Sequence, residues 1–162
     1  MAKEKFSIEQ FLEVVDVNFQ DFIQDLHDYM IANGCNVTVE EKKSGFFASY
    51  KHAKLKKSVL NLLFRKRGLL VRIYGENVNK YLDFMNTLPE EMIQSINEAT
   101  ACKRLLNPDD CSPTCPKGYD FTIGSKHFQI CRYGGFMFPI TDKNTSYIKT
   151  FVENEIKGRT AV

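Results

Sequence analysis

The hydrophobic period of this chain changes at Gly34, and that change constrains the fold more than any other feature of the sequence. Before it, Phe11, Val15, Phe19, Phe22, Leu26 and Tyr29 recur at three- and four-residue spacing, which places them on one stripe of a helix. Ser7, with Gln10 three residues later, predicts a reciprocal cap at the start, and Phe6 and Phe11 occupy the positions of a hydrophobic staple. The stripe reads as one long helix or two joined near residues 16–18, with Gly34 as the stop. Beyond Gly34 the period becomes two at Val37 and Val39, and β-branched and aromatic residues continue to Tyr74. Four strands are expected there, with Arg65-Lys66-Arg67-Gly68 as a hairpin turn between two apolar runs.

Two middle helices follow. Val78, Tyr81, Leu82, Met85 and Leu88 form one stripe, and Pro89-Glu90-Glu91 opens a second with Met92, Ile93 and Ile96 facing in. Residues 107–140 are turn-rich and then β-rich, with hairpin turns expected at Gly124-Ser125 and Gly134-Gly135. Tyr147, Ile148, Phe151, Val152 and Ile156 mark a last amphipathic helix that Gly158 is expected to end. At 162 residues one hydrophobic core suffices, and thirteen Phe and seven Tyr can fill it. The expectation is a single α+β domain over residues 1–162: an N-terminal helix, an antiparallel sheet, two middle helices, a C-terminal β-meander and a closing helix.

Charge excludes some functions. The net +2 comes from 22 basic and 20 acidic residues interspersed along the chain, so no overall field draws nucleic acid or an anionic membrane. Residues 1–11 lack the apolar run of a signal peptide, and no stretch approaches the roughly 20 apolar residues of a membrane span. Both features point to the cytoplasm, where thiols stay reduced and clustered cysteines favour metal or redox chemistry over structural disulfides.

The cysteines cluster. Cys102, Cys111, Cys115 and Cys131 form a Cys-x8-Cys-x3-Cys-x15-Cys series, with Cys35 far away. Thiolates suit zinc, which accepts four sulfur or nitrogen ligands in a tetrahedron, and the x3 spacing falls within the usual range for a ligand pair. Hairpin geometry strengthens the case. With Gly124 and Ser125 at the turn, Ile123 pairs with Lys126, Phe121 with Phe128, and Tyr119 with Ile130, so Cys131 lies across from Gly118. Cys115 is three residues earlier, and Cys115-Pro116-Lys117-Gly118 has the chemistry of a tight turn that aims N–H groups at a thiolate. The fourth ligand is expected to be Cys102, with His127, Asp109, Asp110 or water as alternatives. Four protein ligands would make the site structural, whereas three plus water would leave a Lewis-acid position open. Unconnected buried thiols, or a regulatory disulfide, are the competing readings.

The run from Cys111 to Gly124, followed by Cys131-Arg132-Tyr133 and Phe136-Met137-Phe138, resembles a segment of small uncharacterised proteins from clostridial-type bacteria. That resemblance implies a bacterial cytoplasmic origin and carries over no catalytic residue.

Other features have plainer explanations. Lys51, His52, Lys54, Lys56 and Lys57, with Arg65, Lys66 and Arg67, are the only basic concentration, and it reads as a solvated strand end and a charged turn before it reads as a phosphate-binding surface. His27 reads as a helix-surface residue, while His52 and His127 are better placed for acid–base work if a carboxylate lies opposite. Tyr119, Phe121, Phe128, Tyr133, Phe136 and Phe138 could line a pocket but are expected to pack a core. No phosphate-binding glycine loop, nucleophile elbow or His-Glu-x-x-His sequence is present. The preferred reading is a non-enzymatic zinc-stabilised module that binds a small molecule or a protein partner. A nucleic-acid-binding zinc module is the first rival and a zinc- or thiol-dependent enzyme the second.

Overall fold

The structure, a computed structural model, describes residues 5–66, 68–107, 109 and 116–160. It is α+β, with helices at the N-terminus, in the middle and at the C-terminal end around antiparallel strands. Among the described residues no helix is long and apolar enough to cross a membrane. Packing divides the chain into two compact units: Met1–Val71 with Pro139–Thr145, and Arg72–Phe138 with Ser146–Val162.

The first unit begins as the cap predicts. Ser7 Oγ accepts the Gln10 N–H at 3.2 Å, Gln10 Oε1 accepts the Ser7 N–H at 2.8 Å, and α1 runs over Ile8–Glu13. Two helices form, because Asp16 accepts the Asn18 N–H and caps α2, Val17–Ala32, on its own. Gln20 ties the elbow by donating to the carbonyls of Leu12 and Val15. At Gly34 φ is +85°, a left-handed conformation that ends the helix at little steric cost.

The expected four strands follow: β1 Cys35–Lys42, β2 Gly45–His52, β3 Ser58–Arg65 and β4 Gly68–Ile73. The turn between β3 and β4 exposes Lys66, and Arg67 lies outside the described residues. Register sorts the side chains into two faces. Val37, Tyr50 and Leu60 share one row, and Val39, Ala48 and Leu62 the next. Tyr50, Ala48, Leu60 and Leu62 are fully buried, as are Phe11, Ile23, Leu26 and Met30 of the helices that pack on these strands. The other face carries Thr38, Ser49 and Asn61 in one row and Asn36, Lys51 and Ser58 in the next. Between Tyr50 and Lys51 the β2–β3 register shifts by one residue at Val59, a bulge that returns Ser58 to the polar face.

In the second unit the helix expected over Val78 to Leu88 is broken. A short 3-10 turn at Val78–Lys80 gives way at Tyr81 (φ −136°, ψ 41°) to a single turn, α3, Leu82–Met85. Then come α4, Glu90–Asn97, and α5, Lys103–Leu106. The hairpin of β5, Tyr119–Ile123, and β6, Lys126–Ile130, has the expected register from Tyr119↔Ile130 to Ile123↔Lys126, with Gly124 at φ +61° in the turn.

Two expectations about this region are corrected. The chain does turn over residues 132–136, but β7, Met137–Pro139, does not extend the hairpin into a meander; it pairs with β4, giving the order β1-β2-β3-β4-β7 beside a separate β5-β6 sheet. The segment is held by β4 instead: the Ile73 N–H donates to the Phe136 carbonyl at 2.8 Å and the Ile140 N–H to the Leu69 carbonyl at 3.1 Å, with Phe136 and Phe138 fully buried. The second correction concerns Gly158, which does not end the last helix: α6 spans Thr145–Thr160 and passes through it. A Cβ at Gly158 would lie 2.9 Å from Asn77 Cβ, so glycine serves close packing there. Gly158→Ala should therefore destabilise the protein by roughly 1 kcal/mol: overpacking costs about 1–3 kcal/mol, more than the roughly 1 kcal/mol of helix propensity that alanine gains. Urea unfolding that shows a more stable variant would refute this account.

Candidate functional site

Of the four cysteines read as metal ligands, Cys102 and Cys131 are described, and Cys111 and Cys115 lie outside the described residues. The backbone brings the first two together. The Cys131 N–H donates to Thr100 O at 2.8 Å, the Cys102 N–H donates to Gln129 O at 2.9 Å, and Ala101 and Ile130 form an antiparallel bridge. Residues 100–102 thus add a short strand along β6, whose other edge is taken by β5. Alternation places Ala101, Ile130 and Tyr119 on one face and Cys102, Cys131 and Gly118 on the other. Cys102 is buried and Cys131 half-buried.

Gly118 closes this arrangement. Its N–H donates to Cys102 Sγ at 3.2 Å, so the tight-turn segment does aim an N–H at sulfur, with Cys102 as the acceptor. Lys117 takes the left-handed φ of +72° that the turn requires. A side chain at position 118 is excluded, since a Cβ would lie 2.0 Å from the Ile130 carbonyl oxygen. Among the described residues no three His, Cys, Asp or Glu side chains gather into a ligand sphere. Of the alternative fourth ligands, Asp109 is exposed, His127 is engaged elsewhere and Asp110 lies outside the described residues.

His127 Nε2 bonds to Asp120 Oδ1, and Gln129 Nε2 donates to the other carboxylate oxygen at 3.2 Å. The carboxylate that acid–base work would need is therefore present, diagonal to His127 on the exposed face of the hairpin. The hydrogen bond from His127 holds the Asp120 carboxyl below its ordinary range.

A buried polar cluster in the second unit escaped the sequence reading. Glu155 is fully buried, and its carboxylate accepts the Asn77 N–H and Asn77 Nδ2, each at 3.0 Å, the Tyr81 hydroxyl at 2.5 Å, and Arg159 Nε at 2.7 Å. Arg159 Nη2 goes on to the Tyr74 carbonyl at 2.8 Å, while its Nη1 is buried without a hydrogen-bond partner among the described residues. Burial first, and then the charge and hydrogen bond of Glu155, hold the Tyr81 hydroxyl above the usual tyrosine range, so it stays a donor. A signal existed: Ile148, Val152, Glu155, Ile156 and Arg159 lie on one helical stripe, and a charge on an apolar stripe implies a buried pair.

The basic concentration is placed on the first unit. Lys51, Lys54, Lys56 and Lys57 are exposed, and Lys51 and Lys56 line an open groove of about 420 Å³ with Asn36, Thr38, Ser49 and Ser58. His52 is mostly buried at the groove's edge, and its Nδ1 accepts the Leu55 N–H at 3.2 Å. His27, expected on the helix surface, is half-buried and meets the Tyr50 hydroxyl at 2.8 Å; burial, then Asp28 and Cys35, push that hydroxyl up. The aromatic set packs a core as expected: Tyr119 stacks on Phe136 and Phe121 on Phe128, and only Tyr133 among the six is exposed.

No protein-family model, curated protein or solved structure matches the chain.

Two outcomes follow from these networks. Glu155→Ala leaves Arg159 charged and buried without its partner, which should cost about 3–5 kcal/mol in denaturant unfolding, whereas Glu155→Gln should cost less because it can still accept from Asn77 and Tyr81. A loss under about 1 kcal/mol for Glu155→Ala would show that the cluster is not structural. Because the folded-state value of Asp120 is depressed, its contribution is present above the ordinary aspartate range and is lost as pH falls through the lowered value. Carbon-detected NMR titration should find Asp120 below the usual midpoint and His127→Ala should raise it; an unmoved midpoint would remove the histidine as the cause.

Proposed function

We propose that the chain is a non-enzymatic binding module for a small molecule or protein partner, working in the reducing cytoplasm, with its C-terminal β region clamped by a structural zinc site of Cys102, Cys111, Cys115 and Cys131. The observation that carries the clamp is the Gly118 N–H on Cys102 Sγ, with Gly118 across the hairpin from Cys131. A backbone N–H aimed at sulfur offsets the charge of a thiolate ligand and fixes its orientation. The donor chemistry fits zinc, since all four groups are soft sulfurs on a series with ligand-pair spacing.

The clamp has a physical use. Residues 107–118 contain three prolines and little apolar material, so their own contacts offset little of the entropy lost on ordering. Tying Cys111 and Cys115 to Cys102 and Cys131 would hold that stretch against β5 and β6. Zinc there would supply a fixed tetrahedral crosslink and no reacting position.

Metal analysis of the purified protein should find about one zinc per chain, and Cys115→Ser should lose it together with hydrogen-exchange protection over residues 119–130 while α2 keeps its protection. Metal-free protein in which all five thiols titrate freely would overturn the clamp, as would a zinc-loaded protein whose Cys115→Ser variant keeps full protection.

A further inference from the structure

The polar face of the first unit's sheet contains an unexplained buried side chain. Asn61 lies in β3 among Val59, Leu60, Leu62 and Leu63, and like them it is almost fully buried. An amide in such a strand is costly unless it is hydrogen-bonded. Asn61 Nδ2 donates to Ser49 Oγ on β2 at 3.1 Å and to the Leu60 carbonyl. The Ser49 oxygen accepts from Asn61, which leaves its hydroxyl proton available for donation, and Ser49 lines the groove.

Apart from Ala53 and the mostly buried His52, the rest of the groove is lined by hydroxyl, amide and ammonium side chains. The Thr38 hydroxyl stands in the row of Ser49 and the Asn36 amide and Ser58 hydroxyl in the next, where the bulge at Val59 brings Ser58 level with Lys51. Lys51 and Lys56 contribute two ammonium groups, neither in an ion pair among the described residues, and Lys56 is held in the left-handed conformation (φ +54°) by a turn closed from its N–H to the His52 carbonyl at 2.7 Å. Among the described residues no carboxylate lines the groove; Glu40, one row further along β1, is paired with Lys42. Hydroxyl and amide donors beside two cations, without a competing anion, match a group with several acceptor oxygens and more than one negative charge.

We propose that this groove binds the phosphoryl group of a small phosphorylated ligand. Its volume of about 420 Å³ suits a small molecule, and its side-chain donors, with lysines acting as point charges, are the groups that grip a phosphate. The assignment rests on the reading of the chain as a binding module and makes no use of the zinc clamp.

The test is a ¹⁵N–¹H NMR titration of the full chain with inorganic pyrophosphate at constant ionic strength, with a nucleoside 5′-diphosphate and a short single-stranded RNA as further arms. Saturable shifts should centre on the amides of Asn36, Thr38, Ser49, Lys51, Lys56 and Ser58. Lys51→Ala and Lys56→Ala should each weaken pyrophosphate about tenfold, and Ser49→Ala, which keeps the charge, several-fold. Tighter binding of the nucleoside diphosphate would place a base or sugar beside the phosphate and support the same assignment. Absence of saturable shifts, or shifts that Lys51→Ala and Ser49→Ala leave unchanged, would overturn it. Binding that strengthens with RNA length and falls steeply with salt would also overturn it, in favour of a nucleic-acid surface. Saturable pyrophosphate shifts confined to other residues would refute the groove and leave the binding-module reading standing.

Discussion

A fully buried carboxylate must be compensated, and in the second unit the way Glu155 is compensated determines much of what surrounds it. Its oxygens accept from Asn77, Tyr81 and Arg159, and Arg159 in turn holds the Tyr74 carbonyl. The segment leaving β4 is thereby fixed on the last turns of α6. The Tyr81 hydroxyl bonds Glu155 from the residue at which the continuous helix its stripe suggested is broken. The same segment then positions the hairpin, because the Gly75 N–H donates to the Tyr119 hydroxyl and Asn79 donates to the Asp120 carbonyl. Gly158 belongs to this arrangement too, as the absence of a side chain there lets α6 approach Asn77.

The first unit is organised by a simpler constraint. A strand alternates its side chains, so a sheet covered by helices on one face has a second face free to carry other chemistry. Phe11, Ile23, Leu26 and Met30 accompany the two buried rows that hold Tyr50 with Leu60 and Ala48 with Leu62. Two rows of the other face hold serine, threonine, asparagine and lysine, and the buried Asn61 ties Ser49 to the apolar strand β3. Its hydrogen bond to Ser49 is the point at which the packing of the sheet and the chemistry of the groove meet.

The cysteine region shows how far a strand register can be read in advance. Gly124 as a turn residue was enough to pair Tyr119 with Ile130 and to place Gly118 opposite Cys131, because hairpin pairing is local and its period is two. The partner strand of residues 100–102 was not legible. It joins β6 from a distance of nearly thirty residues, and nothing in Thr100-Ala101-Cys102 marks a strand. That pairing is what puts Cys102 within reach of the Gly118 N–H, so the Cys102 side of the candidate site depends on a long-range contact.

The sequence by itself determined the elements whose signals are local: the Ser7–Gln10 cap, the stop at Gly34, four strands of alternating or buried residues, the β5–β6 hairpin and the amphipathic stripe of α6. Each is set by capping, turn chemistry or periodicity within about a dozen residues. Tertiary structure alone decided that β7 leaves the hairpin for β4, that α6 continues through Gly158, that Glu155 and Arg159 are buried together, and that Lys51 and Lys56 share a groove with Ser49. These outcomes depend on which distant segments meet and how closely. A glycine that ends a helix and one that admits a neighbouring backbone are the same letter, and only the packed neighbour distinguishes them.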